Sequence, residues 1–370
     1  MKIKLLVLYL LLSLHSLAQI SDNLSVSPKI DENETVNRHI LLALDSFLSK
    51  KDTASYPELF KYWDINDFER FRTPYFFLKE VEKNGSGQVA YKPSVMEILP
   101  LKNDLYIVKL SYISTSTANI FVKVVFNLIA KYRDGKVLFS SYINLIDNNW
   151  KHVTDGEAKY IISPNRKSSY EDDIRKQKDF NNYVSDLLKV DKIPYTFYSG
   201  SSVEEFFNIQ GFQYHPMMYA DSTGGIVLNN VIISANDSEF YPHEIAHLYI
   251  KKRIPNINNY FDEGLATYLG GSGKMTYKDY LNKLEHSLNE YDLLAIYKMD
   301  IFDKSLWKPD MPITYILSAI ICDYAINKLG KDSFFEILNS NKDRFTLLNE
   351  LNIKEEDFNK IIVEYLNGKR

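Results

Sequence analysis

The sequence predicts an α+β protein in two domains: helices followed by an antiparallel sheet, then a second α+β domain with a helical C-terminal half. Three observations carry this. Apolar residues recur at helical spacing from Thr35 to Arg72, then alternate with polar ones from Ser94 to Leu145. A polar break, Pro164 to Ser169, follows that stretch. Beyond it, short apolar runs lead into a series of helical patterns that lasts to Leu366.

In chain order, Met1 to Gln19 has the layout of a secretory signal peptide. Lys2 and Lys4 give a positive start, and Leu5 to Leu14 is an apolar run short for a membrane span. Ser16-Leu17-Ala18 fits a cleavage site that leaves Gln19 first. Val36, Ile40, Leu44, Phe47 and Leu48 then form a helical stripe within Thr35 to Ser49, and a second helical patch surrounds Tyr56 to Arg72. Ser94–Leu99, Leu105–Ser114, Ile120–Tyr132 and Lys136–Leu145 read as strands, with turn chemistry at Asn103-Asp104 and Asp134-Gly135. After the break, Tyr170–Lys189 is a charged amphipathic helix, Ile193–Tyr198 a strand and Val203–Phe207 a short helix. Met217–Tyr219 and Ile226–Ser234 read as strands. Helices are expected over Tyr277–Leu288, Tyr315–Leu329, Lys331–Leu338 and Glu355–Leu366. The expected division is therefore a signal peptide over residues 1–18, a domain over 20–163 and another over 170–370.

The chain has 370 residues, enough for two cores, and a formal charge of −4 with no basic stripe, so nucleic acid is not an expected partner. No stretch after the signal peptide is long and apolar enough to span a bilayer. Cys322 is the single cysteine, so no intramolecular disulfide is possible; it sits among Ile320, Ile321 and Ala325 as a small core residue. Export without disulfides fits a bacterial periplasmic or extracellular location.

The chemistry is concentrated in His243-Glu244-Ile245-Ala246-His247. Residues four apart share one face of a helix, so the two imidazoles can hold one Zn²⁺ with Glu244 beside it as general base. The flanks favour a helix. Asp237 and Ser238 offer N-cap oxygens, Pro242 suits the first turn, and Lys251, Lys252 and Arg253 suit the last, before Pro255. A catalytic zinc needs a third ligand and an open position. Glu263 is the candidate, beside the apolar stripe Phe261, Leu265, Tyr268 and Leu269 of a second helix that ends at Gly270-Gly271. The same residues also fit a plainer structure: an amphipathic helix with two partly buried histidines, and a solvated Glu263.

With these residues the chain resembles the gluzincin metallopeptidases, particularly the peptidase-MA-like group and the aminopeptidase-N-type enzymes. The second helix stands as Phe261-Asp262-Glu263-Gly264-Leu265-Ala266-Thr267-Tyr268, which keeps the family's Glu-Gly-x-Ala-x-Tyr and has Phe261 where Trp is usual. The resemblance implies that His243, His247 and Glu263 bind one zinc ion, that Glu244 is the general base, and that the fold is thermolysin-like. The segment from Tyr315 to Gly330 is similar to the helix that follows the family's catalytic tyrosine, which implies an oxyanion-stabilising role for Tyr315. A core tyrosine is the competing reading of Tyr315. Asp262 and Thr267 are candidates to orient the ligands.

Two departures matter. The gap between His247 and Glu263 is shorter than in aminopeptidase-N-type enzymes. The corresponding edge segment, Gly224 to Ser234, also lacks an acidic residue for a substrate's free amine. The implied activity is hydrolysis of a peptide or protein substrate, with a non-catalytic zinc-stabilised binding protein and a gluzincin-type hydrolase of a non-peptide substrate as alternatives. The order of elements in the N-terminal domain looks like the cone-shaped nuclear-transport-factor-like fold, and nothing in it names a ligand or partner. His215 and His286 read as surface or satisfied core histidines.

Overall fold

The computed structural model describes residues 20–71, 78–116, 120–167, 169–219, 224–273, 275–285, 290–308, 311–340 and 344–369. The expected signal peptide and His286 lie outside these residues. The protein is a mixture of helices and two open sheets, compatible with the α+β class expected. No helix among the described residues is long and apolar enough to cross a membrane.

The first stretch runs β1 (Ser25–Val26), α1 (Thr35–Leu48), α2 (Tyr56–Leu59), α3 (Ile65–Phe71), β2 (Tyr91–Pro100), β3 (Leu105–Ser114), β4 (Val122–Arg133), β5 (Lys136–Ser141) and α4 (Ile143–Asp147). Then come β6 (Lys151–Asp155), β7 (Ala158–Ile162), α5 (Glu171–Leu188), β8 (Tyr195–Ser199), α6 (Val203–Ile209) and β9 (Phe212–Tyr214). The last stretch holds β10 (Gly225–Leu228), β11 (Val231–Ser234), α7 (Pro242–Arg253), α8 (Asn259–Gly270), α9 (Tyr277–Glu285) and α10 (Leu293–Lys298). It closes with α11 (Ile313–Leu329), α12 (Lys331–Asn339), α13 (Arg344–Glu350) and α14 (Phe358–Gly368).

Two compact units result: residues 1–149 with 203–221, and residues 150–202 with 222–370. In the first, β1 to β5 pair in order and β9 adds to β4. Asn103, Asp104 and Asp134 take positive φ, as tight hairpins with right-handed strand twist require. Ile40, Leu44 and Phe47 of the helical stripe read from the sequence pack into one core with Leu41, Val108, Leu110, Leu128 and Phe139, and Val36 and Leu48 lie partly buried against it. The strand expected over Lys136–Leu145 stops at Ser141, and its end is α4.

The second unit has a sheet in the order β10-β11-β8-β7-β6, with β8 parallel to β7 and β11. The expected domain border at 163–170 is therefore not where the sheets divide. The strands β6 and β7 hydrogen-bond into the second sheet, while Val203 to Tyr219 belongs with the first unit. Pairing across distant sequence decides this, and a local polar break does not report it. Ile226–Ser234 is a hairpin rather than one strand, turning at Asn229 with φ of 54°. Met217–Tyr219 lies in a 3₁₀ turn, not a strand. The helices α10 and α13 were not read from the sequence; each is under two turns long, too short for periodicity to show.

Candidate metal centre

The helices α7 and α8 bring the expected residues together. Every residue of α7 from His243 to Ile250 is buried, so this helix has no solvated face there. Pro242 begins it, as expected, but its N-cap is Tyr241, with no side-chain cap. Asp237 instead pairs with Arg166, and Ser238 donates to Asp173. Asn258 caps the start of α8, its side chain accepting from the Phe261 N–H at 3.1 Å. Gly270 closes it against α7: a Cβ there would stand 2.5 Å from the His243 backbone nitrogen. Only glycine permits that approach.

His243, His247 and Glu263 form a cluster that can hold a metal ion, with one donor atom from each lying within 4.8 Å of the others. The two Nε2 atoms are 3.3 Å apart. Glu263 Oε2 is 3.3 Å from His243 Nε2 and 3.8 Å from His247 Nε2. Donors placed ~2.0–2.1 Å from a tetrahedral ion stand about 3.3 Å from one another, so the set has the right size. The opposite ring nitrogens settle which atoms are donors. His243 Nδ1 lies 2.6 Å from the Gly271 carbonyl, which can only accept, so Nδ1 carries the proton. His247 Nδ1 lies 2.8 Å from Asp262 Oδ1 and is protonated for the same reason. In the neutral rings both Nε2 lone pairs then face each other and a carboxylate oxygen. Such an arrangement repels itself until a positive charge, a proton on one Nε2 or a metal ion, lies between.

Asp262 thus fixes the ring of His247, a candidate ligand, and Lys251 Nζ at 3.2 Å holds its other oxygen. Thr267 fixes neither ring: its buried hydroxyl has no hydrogen-bond partner among the described residues. The second orienting group is the main chain of Gly271, which no side-chain motif can reveal. Burial disfavours charge on His247, but the Asp262 carboxylate outweighs it, with Glu263 and Glu244 adding, and the imidazole is pushed up to about 9. Burial also opposes charge on Asp262, yet His247 and Lys251 hold its carboxyl below the ordinary range.

Glu244 is buried and makes no side-chain hydrogen bond among the described residues. Tyr315 stands at the cluster: its ring stacks parallel to that of His243 at 6.3 Å. Burial, then the charges of Glu263 and Glu244, push its hydroxyl well up, so it stays a donor. Tyr241, not singled out from the sequence, is a second phenol there. Its hydroxyl accepts from the Gly225 N–H at 3.0 Å, and burial followed by Glu244 pushes it up. Gly225 explains itself by closeness, since a Cβ would lie 2.6 Å from Tyr241 and 2.8 Å from Glu244 Cγ. The adjacent glycines 224 and 225 were the available sequence signal. His215 belongs to the first unit, stacked on Phe207 at 4.4 Å. Cys322 is fully buried in α11, and burial pushes its thiol up.

No protein-family model matches the chain, and neither a curated protein nor a solved structure does.

Proposed function

We propose that the second unit is a zinc-dependent metallopeptidase of gluzincin type, exported, with His243, His247 and Glu263 as ligands. The observation that carries this is the convergence of two outward-locked imidazole lone pairs and one carboxylate beside a second, unengaged carboxylate, Glu244. A structural site has no use for Glu244; a hydrolytic one does. Zinc, when bound, polarises the scissile carbonyl and makes water a stronger acid. Glu244 accepts the proton of the attacking water and passes it to the leaving amine. Tyr315 donates a hydrogen bond to the oxygen where negative charge develops. Asp262 and the Gly271 carbonyl keep both imidazoles in the ligating tautomer.

The edge strand β10 favours a peptide over a non-peptide substrate. Gly225 turns its N–H outward to Tyr241, so Val227, two residues on, points its main-chain groups the same way. Those groups can pair with an extended peptide. Zinc as the ion, the thermolysin-like arrangement and a cone-like first unit are the finer parts of the same proposal. Digestion of a mixed peptide library, with and without chelator, tests it. Cleavage is expected only with metal. Glu244→Gln should lose at least ~10²-fold in kcat and still bind zinc; full activity in that variant overturns the assignment.

A further inference from the structure

A row of aromatic rings leads from the metal cluster to solvent. Tyr315, stacked on His243, meets Trp307 edge-on at 5.2 Å and Phe302 at 6.5 Å. Phe302 and Leu306 are 49% and 43% exposed, although most large apolar side chains of this unit are buried. Both lie in the segment joining α10 to α11, and that segment is tied down. Trp307 Nε1 donates to Thr314 Oγ1 at 3.1 Å, and Thr314 Oγ1 donates to the Ile301 carbonyl at 2.7 Å. The Phe302 N–H donates to Asp300 Oδ1 at 2.8 Å. Lys308 pairs with Glu290 at 2.9 Å, and Lys304 lies over the Trp307 ring at 5.2 Å, so one face of that ring carries a cation while Phe302 and Leu306 stay exposed. A rigid apolar ledge is thus held open beside the ligand His243.

We propose that Phe302, Leu306 and Trp307 form a subsite for a large apolar side chain of the substrate, an aromatic one above all. The proposal rests on the metallopeptidase reading above. Its occupant follows from continuity with the metal cluster. The ledge is two ring contacts from His243, which an extended peptide covers in at most about four residues at ~3.3–3.6 Å each. A side chain arriving there is removed from water together with the exposed Phe302 ring, and offset or edge-to-face ring pairing rewards an aromatic one. The side chain that is recognised therefore lies within four residues of the cleaved bond.

The test uses the full chain and pairs of synthetic peptides that differ only by Phe or Ala at one position. In zinc-loaded protein, one position should show a Phe-to-Ala ratio in kcat/KM of about tenfold or more, the scale of burying one large apolar group. Phe302→Ala should bring that ratio close to one, whereas Tyr183→Ala, an equally exposed ring on α5, should leave it alone. In metal-free protein, the Phe peptide should bind about tenfold tighter than its Ala partner, and Phe302→Ala should remove the difference. Cleavage with no Phe preference at any position, or a preference that survives Phe302→Ala, overturns the ledge. Phe-selective binding without metal-dependent cleavage supports the ledge and overturns the peptidase reading instead.

Discussion

Asp262 gives the sharpest quantitative test of the metal centre. Its Oδ1 holds His247 Nδ1 at 2.8 Å, and its carboxylate is nearly buried. Asp262→Ala removes the acceptor, so the His247 ring can rotate and its Nε2 lone pair is no longer aimed at Glu263. Loss of such an orienting partner weakens metal binding by about 10- to 100-fold, or ~1.4–2.7 kcal/mol. The stranded Nδ1–H adds a cost to folding of about 1–3 kcal/mol. Asp262→Asn separates the causes. Its amide oxygen still accepts from Nδ1, so orientation survives while the charge goes, and the expected loss lies near the lower end of that range. Lys251→Ala, which changes only an exposed partner of Asp262, should move affinity less than either. The assay is zinc competition against a chromophoric chelator at fixed pH. Equal zinc affinity in wild type and Asp262→Ala would refute the reasoning, because His247 would then be aimed by something else.

Other consequences follow from particular contacts. Gly264→Ala places a Cβ 2.1 Å from Ser318 Oγ, which itself donates to the Tyr260 carbonyl at 2.6 Å, so α8 and α11 must part. Denaturant unfolding should show a loss of ~1–3 kcal/mol, partly recovered by Ser318→Gly; additive effects of the two would count against direct contact. Arg166 forks onto the fully buried Glu239 and also meets Asp173 and Asp237, so Arg166→Met should cost about 3–5 kcal/mol, and adding Glu239→Gln should return part of it. In the first unit, burial pushes the Asp67 carboxyl up although Asn144, Ser141 and Trp63 donate to it. A raised folded value means that its contribution is fully present below pH ~4 and is lost as pH rises through that raised value. The stability advantage of wild type over Asp67→Asn should therefore shrink from pH 4 to pH 7 in thermal unfolding, and a constant difference would contradict this.

Local signals carried much of the fold. The stripe Ile40, Leu44 and Phe47 became the buried face of α1, and Asn103-Asp104 and Asp134 became left-handed hairpin turns. Both outcomes depend on neighbours in the chain, so periodicity and turn chemistry report them. The strand β6 escaped because Lys151 to Asp155 is polar and exposed on an edge, where no apolar alternation marks a strand, and β7 because its five buried residues are too short a run to show a period. Val203 to Tyr219 leaves its sequence neighbours to join the first unit by pairing Phe212 with Phe126, a contact between distant residues.

The candidate site divides in the same way. Four-residue spacing places His243 and His247 on one helical face whatever surrounds them, and glycines 270 and 271 mark where the second helix must stop. Those properties belong to the chain alone, because they follow from helix pitch and from backbone freedom. The approach of Glu263 to the imidazoles, the main-chain carbonyl that turns His243, and the Tyr241 bond to β10 were decided only when the helices packed together. They join segments whose mutual distance no local preference sets, and close packing alone selects them.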